Sequence, residues 1–110
     1  MALLHDVEAG IELPGERIAE FCRRWHVVEL ALFGSVLRDD FGPASDVDVL
    51  VTFDPENTPS LFDHVDMQDE LAEIFGRPVD LATRKGVEQS PNPFRRKAIL
   101  GSARTVYEDP

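Results

Sequence analysis

The 110-residue sequence is poor in cysteine, in basic charge and in long apolar runs. Its single cysteine, Cys22, can neither close an intramolecular disulfide nor supply a cysteine cluster for a metal. The spacing of Cys22 from Ile18, Phe21 and Trp25 places it in a core instead. Eleven Lys and Arg against 21 Asp and Glu give a formal net charge of −10. Free nucleic acid would be repelled at long range, because binding a phosphate backbone needs a basic patch. A basic protein partner or a metal-neutralised nucleotide fits this balance better. The longest apolar stretch, Val27 to Phe33, is interrupted by Glu29 and is far shorter than the roughly 20 residues of a membrane span. The opening Met-Ala-Leu-Leu-His-Asp lacks the basic and apolar regions of a secretory signal. These absences set the expectation of a cytoplasmic protein with no membrane contact and no direct nucleic-acid binding.

With 43% hydrophobic and 29% charged residues, the composition is that of a globular domain rather than a disordered chain. One domain over 1–110 is expected, with its core in about 14–107. Ile18, Phe21, Cys22 and Trp25 recur at helical spacing, which predicts an amphipathic helix over Pro14 to His26. Val28 to Phe33 reads as a strand ended by Gly34-Ser35, with a short helical turn over Val36 to Asp40 and a loop over Phe41 to Ser45. Asp46 to Phe53 reads as the next strand, with Val47, Val49 and Val51 on one face and Asp46 and Asp48 on the other. A helix over Ser60 to Phe75, capped by Thr58 or Ser60, is expected to bury Leu61, Val65, Leu71, Ala72 and Phe75 and to leave Asp66, Asp69, Glu70 and Glu73 solvated. Gly76 suits its C-cap. A strand over Val79 to Thr83, a polar segment over Arg84 to Pro93, a helix over Phe94 to Ser102 and a strand over Thr105 to Tyr107 complete the chain. The order implies an α+β fold: a small mixed β-sheet with helices mainly on one face and the other available for ligand.

The chemistry concentrates in two places. A glycine directly after a strand lets the backbone approach a phosphate, and Ser35 can donate its amide and hydroxyl to phosphate oxygens. Twelve positions after Gly34, Asp46 and Asp48 project side by side from one strand face, where their oxygens suit a hard cation such as Mg²⁺. Asp80, between apolar Val79 and Leu81, can deliver a third carboxylate to the same face. Two like charges about 4 Å apart repel by roughly 4 kcal/mol at an effective dielectric of 20, so a face gathering three carboxylates favours a cation. The purely structural alternative has Asp46 starting a strand, Asp48 facing solvent, and Asp80 pairing with Arg84 or Lys85. Arg38 can reach a phosphate or pair with Asp39 or Asp46.

Gly34-Ser35-Val36-Leu37-Arg38-Asp39, followed by Ser45-Asp46-Val47-Asp48-Val49-Leu50-Val51, resembles the signature of the minimal nucleotidyltransferases, a branch of the DNA polymerase beta superfamily. Arg77-Pro78-Val79-Asp80-Leu81-Ala82-Thr83 is similar to that family's third-carboxylate strand. The resemblance spans about Arg17 to Tyr107 and implies a polymerase beta palm-like fold. By position it implies that Gly34 and Ser35 hold nucleotide phosphates and that Asp46 and Asp48 bind Mg²⁺, two ions in all; Arg38 is a further nucleotide-binding candidate. Asp80 would complete the metal site or act as general base.

Family members of this size resemble the antitoxin half of two-gene modules whose partner is a helical HEPN-family ribonuclease toxin. That resemblance implies transfer of AMP from ATP to a toxin hydroxyl, a tyrosine, which silences the toxin. Two further readings belong to different classes: an antitoxin that acts by binding alone, and a small-molecule nucleotidyltransferase of the aminoglycoside-modifying kind. The latter generally carry an added helical domain.

Overall fold

Strand parity decides this architecture. The computed structural model describes residues 3–4, 15–34, 46–57 and 59–108. Within them, β1 is Leu3–Leu4, α1 Gly15–Trp25, β2 Val27–Phe33, β3 Val47–Phe53 and α2 Leu61–Phe75. These are followed by β4 Val79–Thr83, α3 Arg84–Glu88, α4 Pro93–Ser102 and β5 Arg104–Glu108. The strands form one mixed sheet in the order β1-β5-β2-β3-β4. Its strand pairs are antiparallel except β3 with β4, which α2 connects as a parallel crossover.

Along β3, Val47, Val49 and Val51 are fully buried on one face. They join Leu30 and Leu32 of β2 and Val79 and Leu81 of β4 in the main core. Helix α1 closes this core with Ile18, Phe21 and Cys22, and α2 with Met67, Leu71 and Ile74. Each such side chain contributes about 1.5–3 kcal/mol by leaving water. Burial also pushes the Cys22 thiol well above its ordinary pKa, only slightly offset by the charge of Arg23. The opposite face carries a smaller cluster, Ala31, Phe33 and Leu50 against Val87 of α3 and Ile99 of α4. The two longest helices therefore share one face, as expected, while α3 and α4 cover part of the other.

Helix α2 is rotated relative to the sequence expectation. Met67, Leu71 and Ile74, spaced four and three apart, face the sheet, while Ala72 and Phe75 pack at the core margin. Val65 is 56% exposed and Phe62 85% exposed, so Val65 is not a core residue. The sequence offers two apolar arcs on this helix, and the sheet takes the one that also brings polar side chains to its open edge. From that arc's flank the His64 Nε2–H donates to the Leu81 carbonyl at 3.1 Å, and the Gln68 Oε1 accepts from the Leu81 amide at 3.1 Å. These two bonds occupy both backbone groups of Leu81 on edge strand β4.

Glu70 departs from the solvated stripe as well, accepting from the Trp25 indole N–H at 2.9 Å and pairing with Arg24, which ties α1 to α2. Ser60 is the N-cap, in a reciprocal capping box with Asp63. At the other end Gly76 adopts the left-handed C-cap conformation, φ 67°. Tyr107 is buried and Trp25 half-buried. The polar segment after β4 contains one element the sequence reading lacked: α3, capped by the Thr83 hydroxyl on the Gly86 amide at 3.0 Å.

Candidate active site

The alternation that buries Val47 and Val49 turns Asp48 to the second face, and the same alternation in β4 turns Asp80 there. Parallel register then places Asp48 directly opposite Asp80, on neighbouring strands about 5 Å apart. On the other side of β3, Phe33 stands opposite Asp48, which brings Gly34 to the carboxylate. A Cβ built on Gly34 would overlap the Asp48 Oδ2, and Gly34 also has φ +71°. Only glycine meets both demands, so the strand-ending glycine and the carboxylate form one unit.

These residues border a cleft of about 370 Å³. Phe33, Gly34, Asp48 and Asp80 line it from the sheet; Arg95, Ala98, Ile99 and Ser102 of α4 line it from the other side. Asp46 is exposed immediately before β3 and is not among the lining residues. The β3 start is fixed to the β4 start by the Val47 amide donating to the Pro78 carbonyl at 2.9 Å. Ser35 and Arg38, the other two residues expected at phosphate, lie outside the described residues, as do the short turn and loop expected over Val36 to Ser45.

Among the described residues, no three His, Cys, Asp or Glu side chains form a ready metal cage. The donor set nevertheless suits Mg²⁺, which is commonly held by one or two carboxylates with substrate phosphates rather than by an all-protein cage. Asp48 and Asp80 supply two such carboxylates from adjacent strands.

Arg84 does not serve as the partner of Asp80. Its guanidinium donates to Glu29 Oε1 at 3.0 Å and to Thr52 Oγ1 at 3.2 Å, while the Thr105 hydroxyl donates to Glu29 Oε2 at 3.2 Å. This network occupies the opposite end of the second face. A separate cleft of about 710 Å³ lies at that end of β3 and β4, bordered by Phe53, Pro59, His64 and Lys85 among others. It contains neither Asp48 nor Asp80, so the carboxylate chemistry belongs to the smaller cleft.

Arg95 was missed in the sequence, although a signal for it exists. Arg95-Arg96-Lys97 is a cationic run in an acidic chain, and it begins in the first turn of a helix, where the macrodipole favours anions.

The nucleotidyltransferase domain family matches residues 16–106. The protein adenylyltransferase MntA of Thermococcus cleftensis is 31% identical over 88 residues, covering 80% of this chain and 84% of its own. A Methanocaldococcus jannaschii protein assigned as a protein adenylyltransferase is 37% identical over 76 residues, covering 69% and 73%. A solved structure assigned as a minimal nucleotidyltransferase superposes with TM-score 0.62 at 31% identity, covering 82% of this chain and 86% of that one. A toxin–antitoxin structure with AMP-PNP superposes with TM-score 0.67 at 18% identity, covering 87% and 74%, and supports the fold alone.

Proposed function

The chain belongs to the nucleotidyltransferase domain family, and from that membership we propose that it is a Mg²⁺-dependent protein adenylyltransferase acting as the antitoxin of a HEPN-family toxin. Its substrate is ATP and its acceptor a tyrosine hydroxyl of that toxin. The observation that carries the site is the register of Asp48 with Asp80, with Gly34 packed against the Asp48 carboxylate. Relatives named as protein adenylyltransferases support the reaction class. Solved toxin–antitoxin assemblies of the same fold, one with AMP-PNP, support the setting.

In this reading Gly34, Ser35 and Arg38 receive the triphosphate, and Asp46 and Asp48 would hold Mg²⁺ with Asp80 as a further ligand or as general base. Bound Mg²⁺ supplies charge neutralisation of the triphosphate and orientation for in-line displacement. The acceptor oxygen bonds to the α-phosphorus as the bond from that phosphorus to the bridging oxygen breaks. Pyrophosphate leaves with the bonding electrons. As general base, Asp80 at the cleft wall takes the hydroxyl proton. The acidic chain, with net charge −10, complements a basic RNA-binding partner and steers its approach.

Intact-mass measurement of the protein encoded beside this gene, after incubation with ATP, Mg²⁺ and this chain, tests the proposal. One or more adenylyl groups are expected on the partner and none with Asp46→Asn/Asp48→Asn. Modification that persists with the double variant would refute the catalytic assignment. Tight complex formation without modification by the unmodified chain would favour silencing by binding.

A further inference from the structure

The cleft has two unlike walls. Its sheet wall is anionic, with Asp48 and Asp80, while its helix wall carries the guanidinium of Arg95. Among the described residues no carboxylate pairs with Arg95. By contrast, neighbouring Arg96 donates to the Ser90 carbonyl at 2.8 Å, which gives it a structural task. Arg95 also sits in the first turn of α4, where a cation opposes the helix macrodipole. A local rule broken without structural compensation is the mark of a functional position. The Phe94 and Arg95 amides at this helix start are taken by the Asn92 side chain at 3.0 and 3.1 Å. Any anion held here is therefore held by the side chain rather than by the helix backbone.

We propose that Arg95 is the pyrophosphate-holding residue of the site, binding non-bridging oxygens of the β- and γ-phosphates across the cleft from the carboxylates. A nucleoside triphosphate accompanied by a cation is the ligand whose charges match both walls: Asp48 and Asp80 would hold the cation, and the guanidinium would take the outer phosphates. The planar fork of arginine suits two such oxygens at once. As the bond to the α-phosphorus breaks, negative charge grows on the departing pyrophosphate, and the same contact strengthens. The role rests on the nucleotidyltransferase reading and adds to it a residue and a phosphate position.

Calorimetric titration of this chain with ATP and with AMP, both in Mg²⁺ buffer, separates the two assignments because it needs no acceptor. Arg95→Ala is expected to weaken ATP binding about 10- to 100-fold while leaving AMP binding within about twofold. Arg95→Lys should restore part of the ATP affinity, since it keeps the charge but loses the fork. Arg95 is exposed, so Arg95→Ala is expected to keep the unfolding midpoint of the unmodified chain. Equal loss for ATP and AMP, or no loss for either, would overturn the role of Arg95. If the unmodified chain binds ATP in this way yet never transfers AMP, the function proposed above fails and the assignment of Arg95 stands.

Discussion

The first face of the sheet has Val47, Val49 and Val51 sealed beneath α1 and α2; one residue out of step, the second face has Asp48, Leu50 and Thr52. On the first face Leu30, Leu32, Val47, Val49, Val51, Val79 and Leu81 share one continuous apolar core, and substitutions there are expected to cost stability. The second face is divided along its length. Its middle, Ala31 and Leu50, is covered by Val87 and Ile99. One end holds the Glu29–Arg84–Thr52–Thr105 network, and the other holds Asp48, Asp80 and the cleft. Period-two alternation lets a 110-residue chain bury its main core on one side of these strands and present Asp48 and Asp80 on the other.

That separation can be broken in graded steps. Asp80→Asn should reduce AMP transfer by about a thousandfold or more, in the range seen when a catalytic acid–base or metal ligand is lost. Its unfolding midpoint in urea should be unchanged or slightly higher, since the substitution relieves repulsion with Asp48; a lower midpoint would mean that the carboxylate serves the fold. Leu71→Ala is the opposite case. A cavity in the main core should cost about 2–5 kcal/mol in urea unfolding, with transfer retained at temperatures where the chain remains folded.

Gly34→Ala crosses the boundary, because the added methyl meets the Asp48 carboxylate on a backbone with φ +71°. Transfer should fall about a hundredfold through displacement of Asp48, and stability should fall by more than about 1 kcal/mol. Full activity in this variant would show that Asp48 is free to move without consequence. Glu29→Gln should have a smaller effect, weakening one ion pair of partly buried groups. A loss of about 1 kcal/mol or less is expected, with transfer untouched. Smallest in equilibrium terms is the behaviour of Cys22. Thiol reagents should leave it unmodified in the folded chain and label it on unfolding. Burial holds its folded pKa above the unfolded one. Its contribution to stability is therefore complete below the ordinary thiol range and declines as the pH rises above it, where only the unfolded chain gains the thiolate.

The parts of the molecule legible in the sequence were those governed by local periodicity. The alternation in 46–53 placed Val47, Val49 and Val51 inside and Asp48 outside; Asp80 followed by the same parity, and Ser60 and Gly76 marked the ends of α2 by their capping chemistry. The rotation of α2 was not legible, because Val65 and Met67 are both apolar and only contact with the sheet selects between their arcs. Nor was α3, a five-residue helix containing Gly86 that has the Thr83 cap and a buried Val87 to hold it. Arg84 showed its partner only after folding, since Glu29 and Thr52 lie 55 and 32 positions away. Arg95 escaped for the same reason: the approach of α4 to the Asp48 end of the sheet is a tertiary event, and its local traces are a cationic run in an acidic chain and a cation where the helix macrodipole favours an anion.

Nucleotidyl transfer at the carboxylate end of the second face is tested most directly by the fate of the individual phosphates. The chain and the protein encoded beside its gene are to be incubated with Mg²⁺ and ATP labelled in parallel at the α- or the γ-phosphate. The α-label should become protein-bound on the partner while the γ-label is recovered only in pyrophosphate. A γ-label bound to the partner, or α-label transfer undiminished by Asp48→Asn, would contradict the account.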